Sequence, residues 1–237
     1  MTECPRNRSR KPRPGLPQVQ SFYRTGRSQR GGIIAADGQT NVLETPRLTL
    51  RRLNMNDLDD LALIYRDPDV RRYFPEGTLS YEETREELEW IIDVYYDRFG
   101  FGLWATIHKE TGAFIGRCGL LPWTIDIGED GAISEHPLEP PAPEVEVAYL
   151  VAKDHWRRGL GTEAAQAIVD YGFEELHLPR LICLIDPANR ASARVAENIG
   201  MTLERDMELD AEPTSLYSIS SERALELRRS RAPARDT

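Results

Sequence analysis

A long apolar segment that runs into a glycine-bearing turn and then into an amphipathic helix restricts the fold of this chain most strongly. The apolar segment VEVAYLVA spans residues 145–152, the turn reads KDHWRRGLGT, and a helix is predicted over residues 160–176. Gly159 and Gly161 remove Cβ atoms where the chain turns, so consecutive backbone amides can converge beside the N-terminus of the helix. Such a junction binds a phosphate or pyrophosphate, because unpaired N–H groups and the positive end of the helix dipole point at the same place.

The two usual nucleotide-binding signatures are absent from this junction. The dinucleotide pattern G-x-G-x-x-G fails because Ala164 stands at the last glycine position, and the GK[ST] of a P-loop does not occur. Arg157 and Arg158 add positive charge at the rim of the turn. We therefore expect a different pyrophosphate ligand. The plainer alternative is a turn that requires two glycines for its backbone conformation alone.

Strand and helix patterns alternate through the central region, which predicts an α/β fold with a mixed sheet. Period-two or continuous apolar runs indicate strands at LTLRRL, FGLWATIHK, AFIGRCGLLPW, VEVAYLVA, LICLI, MTLERDMEL and SLYSIS. Besides the helix over 160–176, helices are predicted from an N-cap at Asn56 to Pro68, from Tyr81 to Arg98 behind a Ser80–Glu83 capping box, and from Arg190 to Ile199.

Basic residues are concentrated at the N-terminus, and the rest of the chain is strongly acidic. The 237 residues carry 30 Lys and Arg against 39 Asp and Glu, net −9, whereas residues 1–31 hold eight basic side chains and one acidic one. This balance disfavours nucleic acid or an anionic membrane as a partner of the acidic part of the chain. The alternative for the basic N-terminal segment is an arm that binds anions such as nucleic acid. We predict a disordered basic tail over 1–42, one domain over 43–221 and a frayed C-terminal tail over 222–237.

Cysteine and histidine positions argue against disulfide and metal sites. Cys4, Cys118 and Cys183 form no CxxC pair, which favours a reducing cytoplasm, and the four scattered histidines have no ligand spacing, so no metal is expected. No apolar stretch is long enough for a membrane span or a signal peptide.

Two blocks of the sequence carry a family resemblance. VEVAYLVAKDHWRRGLGTEAA, followed by DPANRASARVAENIGM, resembles the GCN5-related N-acetyltransferase (GNAT) superfamily, in particular its ribosomal-protein-acetyltransferase-like branch. TPRLTLRRL and FIGRCGLLPW also match that branch. The resemblance implies a mixed, splayed central sheet flanked by helices, with acetyl-CoA as co-substrate, and an N-acetyltransferase activity.

The resemblance also implies which residues bind acetyl-CoA. The loop wraps the CoA pyrophosphate, with Trp156 where the superfamily usually has Gln or Arg, and the backbone at the end of the fourth strand pairs with the pantetheine arm. The N-x-x-S pattern contacts the pantetheine arm and the sulfur end of CoA. Its asparagine is also a favourable N-cap for the helix that follows. The residues are Arg157, Arg158, Gly159, Leu160, Gly161 and Thr162 for the pyrophosphate, Leu150, Val151 and Ala152 for the arm, and Asn189 and Ser192 for the pattern.

Proton transfer is expected to involve a carboxylate, because an ammonium must lose a proton before its nitrogen can attack the thioester. Glu146 stands where the branch carries its candidate base. Glu144 would point to the same face of a regular strand, and two neighbouring carboxylates could raise the pKa of one of them. Both carboxylates could instead be solvated or attract a cationic substrate. Ala196 replaces the tyrosine acid of many relatives, which leaves Ser192 or a water to protonate the thiolate.

The expected reaction is direct attack of an acceptor primary amine on the thioester, because no activated Cys or Ser argues for an acyl-enzyme. The expected acceptor is a small cationic amine or a protein N-terminus. A homodimer is an alternative to a monomer. An acidic insert over residues 124–143 either favours a cationic acceptor beside the amine site or is a solvated loop. The alternative function is a non-catalytic acyl-CoA sensor or interaction module on the same fold.

Overall fold

The seven predicted strand segments all form strands of one nine-stranded sheet, which has two further strands at one edge, and a separate two-stranded hairpin lies in the insert. The computed structural model describes residues 33–34, 40–127, 133–135, 139, 141–142 and 144–231. The strands are β1 Ile33–Ile34, β2 Thr40–Glu44, β3 Leu48–Arg52, β4 Leu103–His108, β5 Phe114–Trp123, β6 Ile125–Ile127, β7 Ile133–Glu135, β8 Glu144–Val151, β9 Arg180–Ile185, β10 Thr202–Leu209 and β11 Glu212–Ser220.

Side-chain caps set where the first helices begin. The predicted box at Ser80 and Glu83 forms, with the Glu83 carboxylate accepting a hydrogen bond from Ser80 N at 2.8 Å. Before the first α-helix, the short 3-10 segment Met55–Asp57 is capped by Asn54 instead of the predicted Asn56. Asn54 Oδ1 accepts a hydrogen bond from Asn56 N at 2.9 Å. The helices are α1 Leu58–Tyr65, α2 Tyr81–Trp90, α3 Tyr96–Phe99, α4 Leu160–Glu174, α5 Arg190–Asn198 and α6 Ser221–Arg231, with a π turn at Ile91–Tyr95 between α2 and α3.

The sheet is mixed, as the sequence predicts. Its order is β1-β2-β3-β4-β5-β8-β9-β11-β10, and all neighbouring strands are antiparallel except β8 and β9. These two strands are parallel because α4 returns the chain from the end of β8 to the start of β9. The predicted α/β fold with helices flanking a mixed sheet is therefore confirmed.

One face of α4 fixes the glycine turn against the sheet. Ala164, Ala165, Ile168 and Val169 recur at helical spacing and have at most 1% of their surface exposed. Burial of the Ile168 and Val169 side chains stabilises the fold by about 2 kcal/mol each. Because α4 is held in this way, its N-terminus stays at the end of β8.

The C-terminal segment is helical rather than frayed. α6 packs on the domain with Ala224 buried, and the Arg228 guanidinium binds Asp170 at 2.5 Å and also Glu174, both on α4. The expectation of a frayed end is therefore wrong for residues 222–231, because contacts between distant segments outweigh a locally polar sequence.

Other expectations fall partly or wholly outside the described residues. The predicted tail lies outside them except for residues 33–34 and 40–42, which belong to β1 and β2. In the insert, β6 and β7 pair as a short antiparallel hairpin, and Ile127 is buried in a small apolar cluster. Within the described ranges, no helix is long and apolar enough to cross a membrane.

Candidate active site

A gap opens between β8 and β9 because the two strands pair at a single position. Glu146 lies opposite Ile182 in the register of this parallel pair. Beyond that position, side chains make the contacts across the gap: Cys183 Sγ on β9 donates to the Val147 carbonyl at 3.2 Å, and Tyr149 Oη on β8 donates to the carbonyl of Ser192 in α5 at 2.9 Å. The sheet is therefore splayed at β8, as the resemblance implies.

A cavity of about 700 Å³ lies at this gap and brings several predicted residues together. Glu146, Asn189 and Ser192 line it, together with Tyr149. The loop residues 157–162 do not line this cavity and follow the other end of β8. Six residues of extended strand span about 20 Å, so β8 separates Glu146 from the glycine turn by a distance suited to a long, thin ligand.

Two N–H donors hold the Glu146 carboxylate. Trp123 Nε1 donates to Oε2 at 2.9 Å, and Leu184 N donates to Oε1 at 3.3 Å. These bonds fix the orientation of the carboxylate. A carboxylate oxygen accepts more than one hydrogen bond, so the group can still take a proton from the cavity.

The structure separates Glu144 from Glu146. Glu144 is 6% exposed, and its Oε2 lies 3.4 Å from Arg180 Nε at the start of β9. It lines a second cavity with Leu178 and Arg180, away from the one that holds Glu146. The expected pair of neighbouring carboxylates is therefore not formed, because an ion pair with β9 engages Glu144.

Asn189 has the capping role that its position predicts and also lines the cavity. Its Oδ1 accepts a hydrogen bond from Ser192 N at 3.1 Å at the start of α5. Ala196, which replaces the tyrosine of many relatives, is fully buried and carries no hydroxyl. Burial raises the pKa of Tyr149 well above its ordinary value, so this phenol stays protonated beside Ser192.

The glycine turn has the backbone conformation of an anion-binding site. Gly159 is the N-cap of α4 with φ 74°, Arg157 has φ 60°, and no side chain caps the helix. The first N–H groups of α4 therefore lack an intrahelical or side-chain partner. The side chains of Arg157 and Arg158 are exposed at this turn, and Trp156 Nε1 donates to the Val151 carbonyl at 2.7 Å.

A clamp from the start of β3 holds this turn from behind. The Glu163 carboxylate, in the first turn of α4, accepts hydrogen bonds from Thr45 Oγ1 at 2.6 Å, Arg47 N at 2.9 Å and Arg47 Nε at 2.6 Å. Arg47 Nη1 also donates to the Arg158 carbonyl at 2.8 Å. The clamp orders the turn and offsets a negative charge that would repel a phosphate.

We expect Glu163→Gln to lower the melting temperature at neutral pH, with a smaller loss in acid. Desolvation raises the pKa of Glu163, but the hydrogen bonds from Thr45 and Arg47 together lower it by more than desolvation raises it. The net pKa is therefore below the ordinary value. A depressed carboxyl pKa stabilises the fold above the unfolded value of about 4.3, and this contribution is lost as pH falls through the folded pKa. Circular dichroism melts of both proteins from neutral pH down to about pH 3 test this, and an equal difference at every pH would contradict it.

Among the residues that the structure describes, the cysteines and histidines show no sign of a nucleophile or a metal site. Burial raises the pKa of Cys118 and raises that of Cys183 well above the ordinary value, so both remain thiols. Within the part of the chain that the structure describes, no three candidate ligands lie together as a metal site would require.

Sequence reasoning missed three contributors to this region. The Trp123 indole was expected only as core or cleft wall, yet it binds Glu146. The clamp of Thr45 and Arg47 joins residues at least 111 positions apart. Its only sequence signal is that both residues belong to the TPRL segment that carries part of the family resemblance. Residues 72–76 and 209–214 supply further cavity walls, and the sequence gives no local signal for them.

Comparison with known proteins gives consistent matches. The family model described as an acetyltransferase (GNAT) domain matches residues 47–202, a range that contains every site residue predicted from the sequence. An uncharacterized protein, YkkB, of Bacillus subtilis (strain 168) is 35% identical over 180 residues, which cover 76% of this chain and 95% of that protein.

Solved structures share the fold. An acetyltransferase from Agrobacterium tumefaciens str. C58 is 31% identical with a TM-score of 0.59, and the match covers 82% of this chain and 99% of that one. A spermidine N-acetyltransferase from Vibrio cholerae, in complex with CoA and spermine, is 18% identical with a TM-score of 0.59, and the match covers 76% and 99%. The second likeness concerns the fold alone.

Proposed function

This chain belongs to the GNAT acetyltransferase family and is an acetyl-CoA-dependent N-acetyltransferase, and we propose that Glu146 is its general base. The observation that carries the proposal is a carboxylate fixed by Trp123 and Leu184 at the β8–β9 gap, in one cavity with Asn189 and Ser192. The expected enzyme class and co-substrate are confirmed by the family.

The pyrophosphate of acetyl-CoA binds at the N–H groups of residues 159–162, in this proposal. The α4 dipole and the exposed guanidinium groups of Arg157 and Arg158 attract its charge. The pantetheine arm then runs along the gap beside the backbone of residues 150–152 toward Asn189 and Ser192. The clamp at Glu163 supports this binding mode because it neutralises the one carboxylate in the first turn of α4.

Glu146 removes the proton from the acceptor ammonium, directly or through a water. The amine nitrogen then attacks the thioester carbonyl, a C–N bond forms, and the C–S bond breaks. No acyl-enzyme is required, since the buried Cys183 remains a thiol that donates to the Val147 carbonyl. Nitrogen loses its second proton as the C–S bond breaks, and this proton reaches the CoA thiolate through the Ser192 hydroxyl or a water. The ordinary thiol pKa of about 8.5 makes a strong acid unnecessary.

The test of activity is release of the CoA thiol when the full chain is mixed with acetyl-CoA and a panel of amines and peptides. We expect release that depends on the amine, with an acetylated product detectable by mass spectrometry. Binding of acetyl-CoA without release for any acceptor would instead favour the non-catalytic sensor. A protein N-terminus as acceptor and a homodimer stay predictions, and the peptides in the panel test the first of them.

A further inference from the structure

Partly exposed apolar side chains line two sides of the cavity that holds Glu146. One side comes from the strands of the sheet, and the other from the segment between α1 and α2. Apolar surface left uncovered in a concave site indicates a ligand that covers it. The apolar belt consists of Leu121, Leu184, Leu209 and Pro213 on the sheet side and of Tyr73, Phe74 and Pro75 on the helix side.

The helix side of the belt is rigid. The guanidinium of Arg71 lies 4.1 Å from the centroid of the Phe74 ring and 4.9 Å from that of Tyr65. Arg71 is 1% exposed, and its Nε donates to the Gly77 carbonyl at 2.8 Å. This buried stack fixes Phe74 before any ligand arrives, so covering it costs little conformational entropy.

A tight hairpin fixes the sheet side. Asp210 and Ala211 join β10 to β11 with φ of 52° and 64°, which are the left-handed values of a two-residue hairpin turn. Leu209 pairs with Glu212 across this turn and packs against the apolar cluster that contains Trp123. Leu209 is therefore held between that cluster and the cavity.

Carboxylates accompany the belt around the cavity. Asp186, Asp210 and Glu212 line it together with Glu146. Of the two basic residues on its walls, Arg117 is buried and lies 3.3 Å from the Glu87 carboxylate, and the exposed Arg72 is paired with Asp69 at 2.5 Å. The cavity thus combines carboxylates that attract a cation with apolar walls against which a polar group without a hydrogen-bond partner binds unfavourably.

We propose that the acceptor is a primary amine carried by a bulky apolar group, such as an aryl group, which the apolar belt covers. This inference rests on the proposed function. A polyhydroxylated amine would place hydroxyls against the belt without hydrogen-bond partners, which is costly in a desolvated site. A linear polyamine would leave much of the belt uncovered, so it gains less apolar contact.

The test compares kcat/KM of the full chain for 2-phenylethylamine, methylamine, spermidine and kanamycin, measured by thiol release. We expect 2-phenylethylamine to exceed each of the others by about tenfold or more. Leu209→Ser should lower kcat/KM for 2-phenylethylamine by about tenfold more than it lowers that for methylamine. Leu203→Ser is the matched control, because Leu203 is 50% exposed on the same strand and does not line the cavity.

The outcomes separate this inference from the proposed function. A higher kcat/KM for spermidine or kanamycin than for 2-phenylethylamine overturns the apolar acceptor and leaves the acetyltransferase in place. An equal loss for both monoamines in Leu209→Ser also overturns it. Absence of thiol release with every amine, methylamine included, removes the proposed function itself. The ranking of substrates on the unaltered chain decides the matter even if Leu209→Ser does not fold.

Discussion

Replacement of Glu146 by Gln lowers kcat by a factor of about 10² to 10⁴ and leaves the affinity for acetyl-CoA unchanged, if this carboxylate is the general base. Gln has nearly the same size, and its carbonyl can still accept a hydrogen bond from Trp123 Nε1 or from Leu184 N. It cannot take the proton of the acceptor ammonium. Steady-state thiol release measures kcat, and calorimetry measures the affinity for acetyl-CoA.

Glu144→Gln is the matched control for this substitution. It makes the same chemical change two residues away on β8, where the side chain faces Arg180 and a different cavity. We expect nearly unaltered kcat and a lower melting temperature, because Arg180 loses its buried partner and keeps only Glu204, at 3.0 Å. A Glu146→Gln protein whose kcat stays within about twofold of the unaltered protein would remove Glu146 from the mechanism.

Gly161→Val raises the Kd for acetyl-CoA by about a hundredfold while the fold is retained, because a branched side chain then occupies the approach of the phosphates. The nearest atom to a Cβ at this position is Val151 Cγ2 at 4.0 Å, so a Cβ makes only ordinary van der Waals contact with the protein. Calorimetry gives the affinity, and a thermal melt confirms the fold.

Ala167→Val controls for the cost of a β-branched residue in the same helix. Ala167 is half-buried on α4, six residues beyond Gly161 and away from the turn. We expect its affinity for acetyl-CoA to equal that of the unaltered protein. Unchanged affinity in Gly161→Val would move the pyrophosphate away from the N-terminus of α4.

Elements with a local signal were predictable from the sequence. Strands β4 and β5 follow from alternation around a short turn, and α2 begins at the predicted Ser80 box. The N-terminus of α4 follows from Gly159, whose positive φ ends the turn. In each case the interactions that decide the structure lie within a few residues of one another.

Elements decided by distant contacts were not predictable. α6 has a polar, highly charged sequence, and ion pairs of Arg228 with α4 hold it in place. The Trp123 bond to Glu146 depends on the register in which β5 meets β8, where Trp123 lies opposite Glu144. The capping difference between Asn54 and Asn56 is local but ambiguous, because both asparagines precede the same helix.

The same limit applies to Glu144 and Glu146. Strand alternation places both on one face of β8, which led to the expectation of a carboxylate pair. The partner strand decides otherwise, because Arg180 precedes Ile182 by the same two positions and meets Glu144. Only the pairing of β8 with β9 reveals that one carboxylate is neutralised and the other lies at the gap.

Hydrogen–deuterium exchange of the full chain, with and without acetyl-CoA, tests most directly whether the gap beside β8 and the turn before α4 form the cofactor site. We predict that saturating acetyl-CoA slows amide exchange in peptides covering residues 148–152 and 159–163. Peptides from the edge strand β10, residues 202–209, should exchange at the same rate in both states. Binding detected by calorimetry with no protection in 148–152 or 159–163 would contradict the account.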